Sequence, residues 1–343
     1  MANLTIQAPA KVNLHLRVKE RRPDGFHNLE SIFAALAFGD TLHIELLDED
    51  GALEMRMEGP FSGKAEIPPE KNIVSRAVSL FRSKTGYARG LGVHVDKRMP
   101  LGGGLGGGSS DAASTLIALD TLYKADGGSL DDDSLAEMAA LLGSDVPFFL
   151  GKTGVSYVSG RGERLLSLKA PKNLFLVLVN PGFPSETPRA FRLLDEFREK
   201  NGENATGRGA DIPNSTGNVP NTSEFCEKLY APPRDWPFQN DFLPVFLNDA
   251  EGGNGAAYRE MLSGLRGLGA DFAGLSGAGS TCFGVFSGWE KAEKAEKSLL
   301  KIWNCVKVTF LLAHRAIPDY NNSTEKGRHR KEMRYGDNRY QGP

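Results

Sequence analysis

Residues 100–113 read Pro100-Leu101-Gly102-Gly103-Gly104-Leu105-Gly106-Gly107-Gly108-Ser109-Ser110-Asp111-Ala112-Ala113, and this stretch decides the fold. Six glycines within residues 102–108 form no regular element, because glycine loses the most backbone freedom on ordering and fills no core. The residues after them are helical in pattern, with Ala112, Leu116 and Leu119 on one face. A glycine loop that runs into a helix N-terminus bares backbone N–H groups beside the positive end of the helix dipole, which suits a phosphate. A plain surface turn with a Ser or Asp cap needs one or two glycines, not six. Bulkier side chains would keep an anion from the backbone.

Three phosphate loops compete for this reading. A Walker A loop requires Lys before its final Ser/Thr, and Gly108 stands there instead. The dinucleotide spacing G-x-G-x-x-G is met by Gly102, Gly104 and Gly107 behind a strand at Leu91–Asp96, but a run so rich in glycine meets it trivially. Pro100 interrupts the strand-to-turn passage, and no acidic residue ends a strand about 20 residues on. Asp131-Asp132-Asp133 opens a helix instead. The third candidate is the Pro-x-Gly-Gly-Gly-Leu-Gly-(Gly/Ser)-Gly-Ser-Ser-(Asp/Asn)-Ala-Ala loop of the GHMP small-molecule kinases, which this segment resembles at nearly every position.

With 343 residues the chain has room for two domains. A hydrophobic content of 40%, a charged content of 24% and a net charge of −2 exclude a nucleic-acid-binding or membrane-surface protein as the first expectation. No run approaches the ~18 apolar residues of a membrane span, and Met1–Ile6 has neither a basic nor an apolar leader region, so a cytoplasmic protein is expected. Cys226, Cys282 and Cys305 are widely spaced, which fits a reducing compartment and offers no zinc pair.

Period-two alternation predicts strands over Leu4–Ala8, Val12–Val18 and Thr41–Leu46, with a turn at Arg21-Arg22-Pro23-Asp24-Gly25. Helical spacing is read over Asn72–Phe81, from Ser110, from Ser134 to Gly143, and over Glu290–Trp303. After Gly151 strands are expected at Val155–Val158, Leu174–Val179, Cys282–Phe286 and Val306–Leu312. Residues 200–235 read as a mobile insertion poor in apolar positions, and the polar, basic run from Pro318 as a disordered tail. His15, His43 and His94 fall in strand-like stretches and receive no role.

Phosphoryl transfer to an alcohol needs charge neutralisation, positioning and a carboxylate to take the hydroxyl proton. Lys11 lies between apolar neighbours in a strand-like stretch, an awkward place unless the strand is an edge and the ammonium is in water. Asp145 stands between a helix end and the apolar run Val146–Leu150, where a simple turn or cap aspartate competes with a working carboxylate.

Pro9-Ala10-Lys11-Val12-Asn13-Leu14, Asp24-Gly25-Phe26-His27, the glycine loop, Gly143-Ser144-Asp145-Val146-Pro147-Phe148 and Gly277-Ala278-Gly279-Ser280 follow one another in order. Together they resemble the branch of the GHMP kinases that acts on a cytidine-diphosphate-linked methylerythritol; Asp24–His27 selects that branch over homoserine- or mevalonate-like substrates. The resemblance implies an α+β, two-domain GHMP kinase fold. Residues 1–152 would form a ribosomal-S5-like ATP domain and residues 153–317 a ferredoxin-like α/β substrate domain, with 318–343 as the tail. It implies ATP and Mg2+ as cofactors, a small-molecule substrate, no nucleic acid or membrane partner, and a monomer or weak homodimer.

Residue by residue, it implies Asp145 as the catalytic base and Lys11 beside it, holding the carboxylate ionised and stabilising the alkoxide. Asn13 would orient the substrate. His27 would read the cytosine by hydrogen bonds, Phe26 by stacking, and Phe191 would offer a second aromatic face. Pro100, Gly102, Gly103, Gly104, Leu105, Gly106, Gly107, Gly108, Ser109 and Ser110 would wrap the ATP phosphates, with Ser109 or Ser110 near the metal. Two positions depart from the pattern: Phe26 replaces the commoner Tyr, and Asp111 replaces the commoner Asn. A carboxylate beside phosphates is tolerable if it faces away or contacts Mg2+.

Overall fold

The computed structural model describes residues 2–62, 68–202, 222–249, 252–314 and 318–322. Its frame is two sheets lying back to back. The first is organised by two long strands, β1 (Ala2–Arg21) and β2 (His27–Leu47), paired antiparallel along most of their length. The distal half of β2 pairs with β4 (Gly90–Asp96), which takes the short β3 (Leu53–Glu58) as a parallel edge. Its proximal half pairs with β5 (Val155–Gly160), followed by β6 (Arg164–Leu168). Four helices accompany this sheet: α1 (Ile73–Thr85), α2 (Gly107–Ala125), α3 (Asp132–Leu142) and α4 (Val146–Leu150). Leu4, Ile6, Phe33 and Ile44 of the strands share a buried cluster with Phe81, Leu116 and Leu119 of the helices. Each such apolar side chain contributes on the order of 1.5–3 kcal/mol when fully buried.

The second sheet is antiparallel, in the order β10 (Cys305–Phe310), β7 (Phe175–Asn180), β9 (Cys282–Phe286) and β8 (Phe272–Leu275). Helices α5 (Thr187–Lys200), α7 (Phe242–Asn248), α8 (Gly255–Gly267) and α9 (Trp289–Leu299) cover one face of it. The other face meets the first sheet directly. Leu176, Leu178, Phe283 and Val285 share a core with Val12, Leu14, Ile32, Ala34 and Leu36. This explains why β7 reads as an unbroken apolar run: Val177 and Val179 face the helices, and Leu176 and Leu178 face the other sheet. The two halves therefore share a core instead of meeting at a wet seam.

Three expectations need correction. The seam placed at 152/153 does not coincide with the change of sheet, because β5 and β6 hydrogen-bond into the first sheet through β2; the change comes between Leu168 and Phe175. Part of the insertion is ordered. Residues 222–235 form α6 (Thr222–Glu227) and two 3-10 turns, and they bury Leu229 in the core between the sheets. Apolar residues are few there but well placed; residues 203–221 lie outside the described residues. The start of the expected tail is also structured, since β11 (Asp319–Asn322) pairs antiparallel with Ala2–Thr5. Residues 323–343 lie outside the described residues.

Candidate active site

β1 runs through Pro9 without a break because the ladder shifts register between Pro9 and Lys11, and a bulge tolerates a residue with no N–H. Two residues apart, Lys11 and Asn13 project from the same face of β1. The Lys11 N–H donates to Leu105 O at 2.9 Å, joining β1 to the glycine loop. Lys11 Nζ donates to Asn13 Oδ1 at 2.6 Å, lies 3.4 Å from Asp145 Oδ2, and sits 4.5 Å from the centroid of the Phe33 ring. The lysine is not an exposed edge residue: it is only 4% exposed and its charge is matched. Asn13 Nδ2 donates to Ser31 Oγ at 3.0 Å, so the carboxamide is held at both ends.

Asp145 opens α4, yet its side chain accepts no capping hydrogen bond from that helix. It stands at the turn and cap position without making the capping bond. Its carboxylate side chain is 32% exposed, with one oxygen toward Lys11 and room for a ligand on the open side.

The glycine loop is fastened by its carbonyls. Gly102 O accepts from Ser185 N at 2.9 Å, Gly103 O from Thr281 N at 3.1 Å, and Gly104 O from Ser276 Oγ at 2.8 Å. Within the loop, Gly103 N donates to Pro100 O at 3.3 Å. At the start of α2 the N–H groups of Gly107, Gly108 and Ser109 have no intrahelical acceptor, by the geometry of any α-helix. Gly104 and Gly106 have φ of +74° and +71°, which L side chains rarely adopt. A Cβ on Gly104 would lie 2.2 Å from Ser276 O. On Gly108 the nearest atom would be Ile73 Cγ2 at 3.6 Å, an ordinary contact. Gly104 is thus required by packing, whereas a side chain at Gly108 would meet no clash.

Asp111 is buried. Its Oδ2 accepts from Lys97 Nζ at 2.7 Å beneath the first turn of α2, and Lys97 also bonds Asp40. Asp40 Oδ1 accepts from Arg98 N at 2.6 Å and Met99 N at 2.8 Å, so this cluster also sets the approach to the loop. Burial pushes the Asp111 carboxyl up to about 7; Lys97 pulls against this and the charge of Asp40 adds to it. Lys97 and Asp40 escaped the sequence reading. The signal was the charge at Asp111 within an apolar helix, which demanded a buried cation.

The aromatic side of the site comes from other segments. His27 begins β2 and is 7% exposed. Phe191 on α5 stacks on its ring at 5.1 Å and 19°, and is backed edge-on by Phe242 at 5.0 Å. Asp195 Oδ1 lies 3.0 Å from His27 Nε2. Phe26 points elsewhere: it is 53% exposed with the Arg161 guanidinium 5.2 Å from its ring centroid. The structure thus brings His27 and Phe191 together, and leaves Phe26 as an exposed ring at the rim. His15 is a core residue, with a pKa lowered by burial to about 4 and Gln239 N donating to its Nδ1 at 3.2 Å.

Among known proteins, residues 72–152 match the GHMP kinases N terminal domain and residues 247–305 the GHMP kinases C terminal family. A 4-diphosphocytidyl-2-C-methyl-D-erythritol kinase of Treponema pallidum (strain Nichols) is 35% identical over 311 residues, spanning 90% of this chain and 99% of that protein. The chain belongs to the 4-diphosphocytidyl-2-C-methyl-D-erythritol kinase family. A crystal structure of 4-(cytidine 5'-diphospho)-2C-methyl-D-erythritol kinase is similar at 31% identity and a TM-score of 0.68, covering 91% of this chain and 99% of that one. Homoserine kinase from Cytophaga hutchinsonii shares the fold alone, at 17% identity and a TM-score of 0.61 over 92% of this chain and 97% of its own. The chain is a small-molecule kinase of α+β GHMP architecture that uses ATP. No helix among the described residues is long and apolar enough to cross a membrane.

Proposed function

We propose that the chain transfers the γ-phosphoryl group of ATP to the 2-hydroxyl of 4-diphosphocytidyl-2-C-methyl-D-erythritol, a step of non-mevalonate isoprenoid precursor synthesis. The observation that carries this reading is the Lys11–Asp145 pair, at 3.4 Å, tied by the Lys11 N–H to the glycine loop at Leu105. That arrangement sets a carboxylate and an ammonium beside a cradle of N–H groups.

In this reading Asp145 takes the proton of the substrate hydroxyl as its oxygen bonds the γ-phosphorus and the bond to the β-phosphate oxygen breaks. Lys11, held by Asn13, faces the negative charge that develops on the attacking oxygen. The N–H groups of residues 106–109 hold the phosphates. Ser110 Oγ is buried without a partner among the described residues, and fits a hydroxyl reserved for a phosphate or for Mg2+. Mg2+ is commonly held by few protein groups together with substrate phosphates, so the absence of a three-residue His/Cys/Asp/Glu cluster among the described residues is compatible with it. When bound, ATP supplies the phosphoryl group and Mg2+ neutralises its charge. His27 and Phe191 are assigned to the end that meets the cytosine, with the exposed Phe26 ring at its rim.

The segments opening α2 and α4 supply the donor side and the base, and α5 supplies part of the acceptor side. The test is ADP release with ATP and Mg2+ on three alcohols: the cytidylated methylerythritol, homoserine and mevalonate. Turnover is expected on the first; turnover on homoserine or mevalonate alone would overturn the assignment.

A further inference from the structure

We infer that Asp195 is a positioning residue that sets the hydrogen-bonding sense of His27, and so makes the acceptor site select an amino-bearing pyrimidine over its oxo counterpart. This rests on the reading above that His27 meets the base.

The argument begins with the 3.0 Å contact between Asp195 Oδ1 and His27 Nε2. An ionised carboxylate only accepts hydrogen bonds, so Nε2 must carry the proton. In a neutral imidazole one nitrogen donates and the other accepts, and fixing the first fixes the second. Nδ1 is then a lone-pair acceptor, and it has no partner among the described residues. The 4-amino group of cytosine donates and meets such an acceptor. The 4-oxo group of uracil accepts, and would place two lone pairs against each other.

The ring has little freedom to escape this arrangement. Phe191 stacks on it at 19°, and Phe242 stands edge-on behind Phe191. Phe191 and Asp195 are four residues apart on α5, so one helical face delivers both the ring and the carboxylate. The next turn anchors that face. The buried Arg198 Nη2 donates to Val18 O at 2.7 Å and lies 3.0 Å from Asp241 Oδ2, which accepts from Val18 N at 2.9 Å. α5 is thereby clamped to β1, a few residues before the strand turns back toward His27.

The test compares kcat and KM for the cytidine- and uridine-diphosphate-linked methylerythritols in the full-length enzyme, Asp195→Asn and His27→Ala, in mildly alkaline buffer. Asn can donate to Nε2 and release the opposite tautomer. Asp195→Asn should therefore raise KM for the cytidylated alcohol ~10-fold and narrow the cytosine-to-uracil ratio of kcat/KM by ~10-fold, with kcat and KM for ATP changed less than ~2-fold. Asp195→Glu should recover part of the ratio. An unchanged ratio in Asp195→Asn, with a raised acceptor KM in His27→Ala, overturns the role of Asp195 alone. An unchanged acceptor KM in His27→Ala overturns the reading of His27 and this inference with it. A rise in both KM values in Asp195→Asn marks a merely structural carboxylate, and also overturns it.

Discussion

The two sides of the site are built in opposite ways. The side proposed for phosphate is one uninterrupted run, residues 100–111, whose glycines, helix start and buried aspartate are neighbours in the chain. The acceptor side joins His27 at the start of a strand to Phe191 and Asp195 on a helix, Asp195 lying 168 positions later. A phosphate is recognised by backbone N–H groups, which every residue but proline carries, so local chain geometry suffices to build its cradle. A base is recognised by side-chain edges and faces, which must arrive from several directions. The first kind of site is written in a motif; the second exists only once the sheets and helices have packed.

Lys11 and Asp145 lie where the two sides meet, and the largest effect is expected there. Asp145→Asn should lower kcat by ~10²–10⁴, while calorimetric titration with a non-hydrolysable ATP analogue shows near-native affinity. Near-normal turnover would remove Asp145 as the base. Next comes a pair of substitutions within the loop. Gly104→Ala forces a methyl into Ser276 O at a positive φ and should cost ~2 kcal/mol or more in denaturant titration. Gly108→Ala should leave stability unchanged or raise it by ~0.5–1 kcal/mol, yet weaken ATP binding. Equal losses of stability in the two would show that the loop has no separate packing and ligand positions.

On the acceptor side, Phe26→Ala should raise the acceptor KM by ~10-fold through lost stacking. The exposure of the ring should keep the loss of stability within ~0.5 kcal/mol. Phe191→Ala should raise the same KM but also destabilise the fold, because that ring packs between His27 and Phe242. Stability losses of the same size would erase the distinction between rim and wall.

The smallest effect concerns Asp111. Burial raises its carboxyl from 3.8 to about 7, so the folded protein holds that proton more tightly than the unfolded chain. Its contribution to stability is full below 3.8 and is lost as pH rises through about 7. Asp111→Asn should therefore flatten the pH dependence of the melting temperature over that window, by ~2–4 °C. Parallel curves for the two proteins would sink this account.

Legibility in the sequence follows the same division. The glycine loop, the helix behind it and the strand at Leu91–Asp96 were legible because each is a local pattern. β1 was split in expectation at Pro9, since a proline ordinarily ends a ladder, and only its pairing with β2 shows that a bulge carries it through. Residues 222–235 read as part of a mobile insertion because burial there depends on a few residues meeting the core between the sheets. Lys97 and Asp40 carried no motif, and their pairing with Asp111 joins the interior of β2 and the end of β4 to α2.

By itself the sequence determined the family, the glycine loop at residues 102–108 as the candidate phosphate cradle, and Lys11 and Asp145 as candidates for the chemistry. Each of these depends on residue type in a short window, where backbone freedom and charge are local properties. Tertiary structure alone decided that Lys11 is buried and paired, that Asp111 is buried against Lys97, and that Asp195 meets His27. Those are matters of which side chains meet across the packed elements, and only the packing of the two sheets and their helices settles them.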